Sequence, residues 1–305
     1  MPGPRLTVAV ISAGAVGTAV GEALERAGHS VTAVVARSGA SRARAALRLP
    51  GARVTESAAD AAADAELIVI AVPDPTIPEV VEAIAPHVGA GRIVVHVAGS
   101  RGRAVLDPLA LAGALTIAAH PAMTFAGVAE DTDRLAGCPW GVTVGDELSR
   151  TVAELLISEL GGRAIPIPEN HRPLYHAAMA HGSNHLGAVV ADAVELLARA
   201  ITVDAGHAPA PRTETADAAD AGPDVAREQA AALLGPLLEA SLDNALRWGP
   251  RGLTGPAVRD DAGTVGKHLD VIGAAMPRAA APYRALSRRI AEMRGSAEVL
   301  RRLAG

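Results

Sequence analysis

A glycine-rich segment near the N-terminus has the residue spacing that most clearly indicates chemistry. Residues 8–21 read VAVISAGAVGTAVG and lie between a run of β-branched residues and a helical stretch. Such a loop brings backbone N–H groups to a phosphate at the positive end of a helix. Gly14 would let the backbone approach a pyrophosphate, and Gly17 would allow the helix to pack closely on the strand. The segment therefore predicts dinucleotide binding.

The same segment departs from the usual pattern at one position. Ser12 stands where the first glycine is expected, which leaves the geometry of the tight turn open. A glycine-rich loop that only turns the chain is the alternative interpretation. The residues that we predict to hold the cofactor here are Ser12, Gly14, Ala15, Val16 and Gly17.

The end of the second predicted strand indicates which dinucleotide binds. Folds that bind NAD keep an Asp or Glu here for the ribose 2′-hydroxyl, whereas this sequence has Arg37 and Ser38. A guanidinium group can hold a 2′-phosphate through two hydrogen bonds. NADP is therefore the predicted cofactor. Arg42 and Arg44 follow closely, but they are equally consistent with a solvated face of an arginine-rich chain.

Two further polar segments follow predicted strands. Val72-Pro73-Asp74 comes after one strand, and another strand leads into Gly99-Ser100. Ligands of such sheets bind at the carboxyl ends of the strands, so we expect Val72, Pro73 and Ser100 to contact the ribose or the nicotinamide. Asp74 is equally suited to cap the next helix.

These segments need a sheet to position them. The first 168 residues alternate short apolar runs with alanine-rich helical stretches, the pattern of a parallel sheet covered on both faces. The strands are predicted near Leu6–Ile11, Ser30–Val35, Leu67–Val72, Arg92–Val97, Leu115–Ala119, Gly141–Val144 and Arg163–Ile167. The predicted fold class is α/β: a doubly wound, mostly parallel Rossmann sheet in residues 1–168, followed by an all-helical domain in residues 169–305.

The helical half contains one irregular stretch. Helices are predicted at Arg172–Ile201, Ala230–Leu246, Thr264–Ala275 and Pro282–Leu303. Residues 203–226 are rich in Pro, Ala and Asp without an apolar period, which indicates an exposed insertion. A passive loop and a lid over the active site are both consistent with it.

Composition excludes several classes of protein. The formal net charge is −5, whereas nucleic-acid binders normally carry a basic surplus. No apolar run reaches the roughly 18 residues that span a bilayer. The single cysteine, Cys138, excludes an internal disulfide framework. We therefore expect a cytoplasmic protein that binds a small molecule, and neither nucleic acid nor membrane.

Several motifs together carry a family resemblance. They are Ser12-Ala-Gly-Ala-Val-Gly17, Ala71-Val-Pro-Asp74, His120-Pro-Ala-Met-Thr-Phe125, Gly137-Cys-Pro-Trp-Gly-Val-Thr143, Tyr175-His-Ala-Ala178, Ser183-Asn-His185, Leu242-Asp-Asn-Ala245 and Leu253-Thr-Gly-Pro256. The sequence resembles bacterial Rossmann-like proteins whose C-terminal half is a domain of unknown function, within the 6-phosphogluconate-dehydrogenase-like superfamily. The resemblance covers almost the whole chain except residues 203–226. It implies an NADP-linked reductase whose helical domain forms a homodimer, and it names no substrate.

The family's relatives also indicate what this chain lacks. β-Hydroxyacid dehydrogenases carry a lysine four residues before an asparagine on their first interdomain helix. Asn184 matches that asparagine, but Ala180 stands at the lysine position, and the only lysine is Lys267. The acid–base mechanism of those enzymes therefore does not carry over.

Other polar residues are left as the candidates for catalysis. Asn184 could hydrogen-bond a substrate oxygen, and His176 lies two turns earlier, about 80° away around the helix. His176 or His120 could move a proton. Ser183 and Thr254 are expected to contact substrate. Each histidine could instead be a structural residue, and His120 a turn residue.

A metal site is not expected. His181 and His185 form an i, i+4 pair, but no third ligand stands at a recognisable spacing.

Three functions remain open from the sequence. The first is reduction of a small ketone, a 2-oxo acid such as ketopantoate. The second is reduction of a cyclic imine such as pyrroline-5-carboxylate. The third is a non-catalytic NADP-binding regulator or scaffold, which the serine at position 12 and the missing lysine would fit.

Overall fold

The first unit is built on one eight-stranded sheet. A computed structural model of the protein describes residues 5–203 and 221–304. The strands are β1 (Thr7–Ile11), β2 (Ser30–Val35), β3 (Arg53–Thr55), β4 (Leu67–Ile70), β5 (Ile93–His96), β6 (Leu115–Pro121), β7 (Pro139–Val144) and β8 (Arg163–Pro166). Their order is β3-β2-β1-β4-β5-β6-β7-β8. All neighbours pair in parallel except β6 and β7, which confirms the doubly wound, mostly parallel sheet.

Helices cover both faces of the sheet. Those of the first unit are α1 (Ala15–Arg26), α2 (Gly39–Arg48), α3 (Ala58–Ala62), α4 (Ile77–Ile84), α5 (Asp107–Leu111), α6 (Glu130–Leu135) and α7 (Glu147–Glu159). In β1, Val8 and Val10 pack with α1 and α7, whereas Ala9 and Ile11 pack with α3 and α4. The four buried residues of β1, Val8 to Ile11, are therefore all apolar, because neighbouring side chains point to opposite faces and both faces are buried.

The C-terminal part is helical, as the sequence predicts. Its helices are α8 (Arg172–Val203), α9 (Ala221–Trp248), α10 (Ala262–Ala275), α11 (Pro277–Arg294) and α12 (Ala297–Ala304). Val265, Ala291, Val299 and Leu303 form a small core among the last three of them. The chain divides into compact units at residues 1–182 and 183–305, a boundary that falls within α8. The domain boundary after residue 168 stays a prediction.

Two predicted elements of the helical part differ from the structure. The helix expected over Pro282–Leu303 is two helices, because Gly295 adopts a left-handed conformation with φ of 72° and ends α11. Residues 204–220 of the predicted insertion lie outside the described residues. Its last part, from Ala221, already belongs to α9, and Ala226 is buried against α8, since its small side chain allows the two helices to approach closely. Among the described helices, none is both long and apolar enough to cross a membrane.

Candidate functional site

Ser12 makes the turn between β1 and α1. Its φ is 99°, in the left-handed region that favours glycine, so a serine makes the turn that the first glycine of the pattern usually makes. A methyl group on Gly17 would come 2.0 Å from the Ser12 carbonyl oxygen, so only glycine lets α1 begin this close to the turn. The turn at Ser12 therefore has the same backbone conformation as the turn that the usual glycine makes, although the residue is a serine.

The start of α1 suits an anion. Gly14 is its N-cap residue and supplies no side-chain hydrogen bond, and the first turn contains no acidic residue. The N–H groups of Ala15, Val16 and Gly17 have no acceptor within the helix and carry its positive partial charge. The Thr18 hydroxyl donates to the Gly14 carbonyl at 2.7 Å, which fixes the first turn. This end of α1 opens beside a cleft.

The cleft lies at the carboxyl ends of β1, β2 and β4 and has a volume of about 450 Å³. Of the residues predicted to bind the cofactor, those that line it are Ser12, Gly14, Arg37, Ser38, Val72 and Pro73. Ser41, Arg44 and Thr76 line it as well, and of these Ser41 and Thr76 are not among the predicted residues. Ser41 could have been found, because it completes a capping box with Ser38 at the start of α2.

The three arginines near the cleft have different surroundings. Arg37 lines the cleft, and its Nε donates to the Glu56 carbonyl at 3.3 Å. Arg44 also lines it and donates to the Ala13 carbonyl at 2.8 Å, which ties α2 to the phosphate loop. Arg42 instead forms an exposed ion pair with Glu56. The solvated-face interpretation therefore describes Arg42, whereas Arg44 contributes charge to the cleft.

A second group of polar residues lies at the carboxyl ends of β5 and β6. His120 Nδ1 is 2.9 Å from the Tyr175 hydroxyl, and the two rings meet edge to face. A methyl group on Gly99 would lie 3.0 Å from His120 Nε2 and 2.7 Å from Cδ2 of His176. The structure therefore brings His120 and His176 together over Gly99. Tyr175 belongs to one of the sequence motifs but is not among the predicted site residues.

His96 ends β5 underneath this group and is fully buried. It accepts the Ala98 N–H at Nδ1, so Nε2 carries the proton and donates to the Gly102 carbonyl at 2.9 Å. Burial lowers the pKa of His96 to about 4, and the same cause, with the charge of Arg172, lowers the pKa of His120 to about 4. Both rings are therefore neutral at physiological pH.

Arg172, at the start of α8, is a buried cation beside these rings. It donates to the Thr143 hydroxyl at 2.7 Å and to the carbonyls of Ala118 and Gly141 at 2.8 and 3.0 Å. Among the residues that the structure describes, none forms a hydrogen bond with its Nη1. Within the described part of the chain, no carboxylate lies within ion-pair distance of it. Burial lowers the pKa of Arg172 from its ordinary value.

The loop after β5 is held by hydrogen bonds to carboxylates. The Ser100 hydroxyl, predicted to face the cofactor, donates to Asp74, which begins a short 3-10 turn after β4. Glu169 accepts the N–H groups of Arg103 and Ala104 at 2.8 and 3.2 Å. These contacts hold in place the segment between Gly99 and the next helix.

Comparison with known families assigns both parts of the chain. Residues 1–121 match a Rossmann-like domain, and residues 138–290, just over half of the chain, match a domain of unknown function (DUF2520). The chain belongs to the DUF2520 family. This confirms the resemblance that the sequence motifs carry. No curated protein sequence matches the chain.

Solved structures share the fold of this DUF2520 protein. One, from Bacteroides fragilis and described as an NADP oxidoreductase, is 22% identical with a TM-score of 0.72; the match covers 94% of this chain and 98% of that one. An imine reductase from Myxococcus stipitatus in complex with NADP+ is 17% identical with a TM-score of 0.59, covering 99% and 100%. A reductive aminase from Aspergillus terreus with bound NADPH4 is 19% identical with a TM-score of 0.61, covering 96% and 95%.

The remaining predicted site residues lie in the second unit. Asn184 is exposed, and the neighbouring Ser183 hydroxyl donates to its side-chain oxygen at 3.1 Å. Thr254 is exposed in the segment between α9 and α10, and Lys267 is an exposed residue of α10. In the described residues, no group of three metal-ligating side chains, including His181 and His185, could hold a metal ion.

Proposed function

We propose that this DUF2520 protein is an NADP-dependent oxidoreductase that reduces the C=O or C=N bond of a small molecule. The observation that carries the proposal is the cleft beside the start of α1. Its phosphate loop has the required backbone geometry, and Arg37 and Arg44 place positive charge beside the end of β2. The fold shared with oxidoreductases, two of which contain bound NADP+ or NADPH4, supports it.

The residues of the cleft fit such a cofactor. The N–H groups of Ala15, Val16 and Gly17 suit its pyrophosphate, while Arg37 and Arg44, with the hydroxyl of Ser41, suit a 2′-phosphate. Val72 and Pro73 line the same cleft, and in this proposal they and Ser100 contact the ribose or the nicotinamide. When bound, the reduced cofactor supplies a hydride. The protein then orients the substrate and moves the proton.

The substrate is proposed to be a 2-oxo acid, and ketopantoate is the first compound to test. In this proposal Asn184 hydrogen-bonds the substrate oxygen, His120 and His176 serve proton transfer, and Ser183 and Thr254 contact the rest of the substrate. Pyrroline-5-carboxylate is the second candidate. We place the protein in the cytoplasm, where a lone thiol such as that of Cys138 stays reduced.

Cofactor binding is tested by titration of the protein with NADPH and NADH, following the fluorescence of the reduced nicotinamide. We expect NADPH to bind more tightly, and Arg37→Ala to weaken NADPH binding by roughly tenfold or more with little effect on NADH. Arg42→Ala is the matched control, because Arg42 pairs with Glu56 outside the cleft. Equal affinity for both cofactors, or binding of neither, would contradict the proposal.

Substrate class is tested by following NADPH oxidation with ketopantoate and pyrroline-5-carboxylate side by side. We expect turnover of ketopantoate that collapses in Asn184→Ala while NADPH affinity is retained. Turnover of the imine alone would assign the second candidate. NADPH binding without turnover of any carbonyl or imine would favour the non-catalytic regulator.

We also propose that the protein is a homodimer formed through its helical part. Leu233, Leu237, Leu242, Leu246 and Trp248 of α9 are each half or more exposed. Single apolar side chains are common on protein surfaces, but several large ones along one helix are not. We therefore propose that a second copy of the chain covers this part of α9.

A further inference from the structure

The two ring nitrogens of His120 face different surroundings. Nδ1 lies 2.9 Å from the hydroxyl of Tyr175, which is half-buried against Gly141 of β7. Nε2 lies on the other side of the ring, against Gly99 in the loop that follows β5, where the ring of His176 also approaches. The imidazole therefore connects a partly buried phenol to the carboxyl edge of the sheet, where ligands of such folds bind.

The phenol lies beside a buried positive charge. The guanidinium carbon of Arg172 is 5.6 Å from the centre of the Tyr175 ring. Within the described residues no carboxylate lies within ion-pair distance of this guanidinium, so its hydrogen bonds go to neutral acceptors, and the Glu169 carboxylate acts on it only at longer range. The positive charge of Arg172 lowers the pKa of Tyr175 and so partly offsets burial, which is the larger effect and raises that pKa above its ordinary value. Tyr175 is the acidic side chain in contact with Arg172.

We propose that Tyr175 and His120 form the proton relay of the reduction, with Arg172 as the counter-charge for the tyrosinate. This inference rests on the proposed function and assigns roles within it. His120 contacts the substrate and donates its Nε2 proton to it. Tyr175 donates its hydroxyl proton to Nδ1 of His120, which replaces the proton that the ring has lost. Arg172 is a positioning residue whose positive charge compensates the tyrosinate.

The proton transfer uses both ring nitrogens of His120. When hydride reaches the carbonyl carbon, the electron pair of the C=O bond moves to oxygen, which takes the proton from His120 Nε2. His120 Nδ1 takes the proton of the Tyr175 hydroxyl at the same time, so the imidazole stays neutral and Tyr175 becomes a phenolate next to Arg172. After the product leaves, a proton from water binds at Nε2 and the Nδ1 proton returns to the Tyr175 phenolate, which restores the starting tautomer and the neutral phenol.

The surrounding charges explain why a relay is needed. The titratable groups that face His120 are Arg172, Tyr175 and His176 from α8, His96 from β5 and Asp74 from the segment after β4. Burial and the charge of Arg172 lower the pKa of His120 to about 4, so the ring does not carry a second proton at neutral pH. A neutral imidazole can give up its Nε2 proton only if Nδ1 receives one.

The protonation state of His120 is tested without any substrate by nitrogen-15 NMR of labelled histidine. We expect an Nε2–H tautomer whose Nδ1 accepts a hydrogen bond, identified by loss of its signals in His120→Asn. In Tyr175→Phe the Nδ1 signal should shift, because the hydrogen bond is lost. An Nδ1–H tautomer, or signals unaffected by Tyr175→Phe, would overturn the relay.

The counter-charge is tested by titrating the tyrosine absorbance. The sequence has two tyrosines, so Tyr283→Phe leaves Tyr175 as the only phenol. Burial raises the pKa of Tyr175 and the charge of Arg172 lowers it. In the Tyr283→Phe background, Arg172→Met should raise the pKa further and Arg172→Lys should change it less. A pKa unchanged in Arg172→Met would contradict the assigned role.

Activity gives the third readout. Tyr175→Phe should lower kcat for the ketone about 100-fold with KM and NADPH affinity nearly unchanged. An imine that is protonated before reduction should be affected far less, because it needs no proton from the protein. Equal losses for both substrates would indicate a structural role and overturn the relay.

Tyr283→Phe is the matched control for these measurements. Tyr283 makes a similar pair with His268, at 2.7 Å from Nδ1, within the helical unit. We expect it to leave kcat unchanged. If no carbonyl or imine compound is reduced, the proposed function fails, whereas the NMR and absorbance titrations still decide whether Tyr175, His120 and Arg172 are coupled as described.

Discussion

Ser12 holds a conformation that suits glycine better than serine. A residue with a Cβ at φ of 99° is strained, and the surrounding contacts must hold it there. Two such contacts fix the next residue: Ala13 N–H donates to the Val35 carbonyl at 2.8 Å, and Arg44 donates to the Ala13 carbonyl at 2.8 Å. The conformation of the turn is therefore stabilised by hydrogen bonds with β2 and α2, and not by a preference of Ser12 for it.

Ser12→Gly should stabilise the protein. Removing the Cβ relieves the strained φ, and after the larger chain entropy of glycine we expect a gain of about 1 kcal/mol in the free energy of unfolding. Ser12→Ala is the control, because it removes the hydroxyl but keeps the Cβ and should show no gain. Urea unfolding of the three proteins measures the difference, and equal stability would show that the turn carries no strain.

The segment between β6 and α6 forms one wall beside the phosphate loop. Asp131 is fully buried, and its carboxylate accepts the N–H groups of Ala126, Gly127 and Val128. A methyl group on Gly127 would lie 3.7 Å from the Cβ of Ala15 at the start of α1. The carboxylate therefore shapes a turn that lies against the first residue of α1.

The buried Arg48 connects this segment to two helices. It donates to Glu22 of α1 at 2.7 Å and to the Val128 carbonyl at 3.0 Å, and it also bonds the Thr132 hydroxyl. Burial alone would raise the pKa of Glu22, but the hydrogen bonds from Arg48 and Thr132 lower it below its ordinary value. The network ties the C-terminal half of α1, at Glu22, to the end of α2 and to α6.

Asp131→Ala should weaken both the fold and cofactor binding. Three partly buried N–H groups lose their acceptor, which we expect to cost roughly 2–4 kcal/mol and to loosen the segment against Ala15. Asp133→Ala is the control on the same helix, because its carboxylate is exposed and, among the described residues, forms an ion pair with Arg26 alone. Thermal unfolding and NADPH titration measure the two effects. A loss of stability with unchanged NADPH affinity would show that this wall does not shape the cofactor site.

Buried neutral histidines make the stability of the whole chain depend on pH. The pKa of both His96 and His120 falls from 6.5 to about 4 on folding, chiefly through burial. Between these values the unfolded chain binds more protons than the folded one. The stability that the two neutral rings contribute is therefore present above pH about 6.5 and is lost as the pH falls toward 4.

Urea unfolding between pH 7.5 and 5 checks this dependence. Each histidine should contribute a slope of up to about 1.4 kcal/mol per pH unit over the range, with stability falling toward acid. In His120→Asn the slope should be roughly halved. A free energy of unfolding that does not change over this range would show that the rings titrate normally in the folded state.

The proposed dimer predicts a change in mass. Leu237→Glu or Leu246→Glu places a charge on the exposed apolar surface of α9 and should release a monomer of 30.8 kDa from a particle of twice that mass. Leu111→Glu in α5 is the control, because Leu111 is an isolated exposed leucine of the first unit. Light scattering after size-exclusion chromatography measures the mass, and a wild-type monomer would contradict the dimer.

Much of the sheet and of the cofactor cleft could be read from local pattern. Strands buried on both faces are continuously apolar, so β1 and β4 can be recognised in the sequence. A phosphate loop needs glycine where two stretches of backbone come too close for a Cβ, so Gly14 and Gly17 can be recognised as well. The three-residue strand β3 and the short helices α5 and α6 are not, because elements of this length carry too little periodicity.

The polar group at β5 and β6 depends on contacts between distant parts of the chain. Tyr175 and His120 are 55 positions apart, and Arg172 bonds the carbonyl of Ala118, 54 positions away. No spacing rule links such residues, and a tyrosine on an alanine-rich helix looks like an ordinary packing residue. The amino-acid order determined the type of sheet and the phosphate loop, since these are local. Which histidine meets a phenol and a buried cation is decided only when the sheet brings strand ends and α8 together.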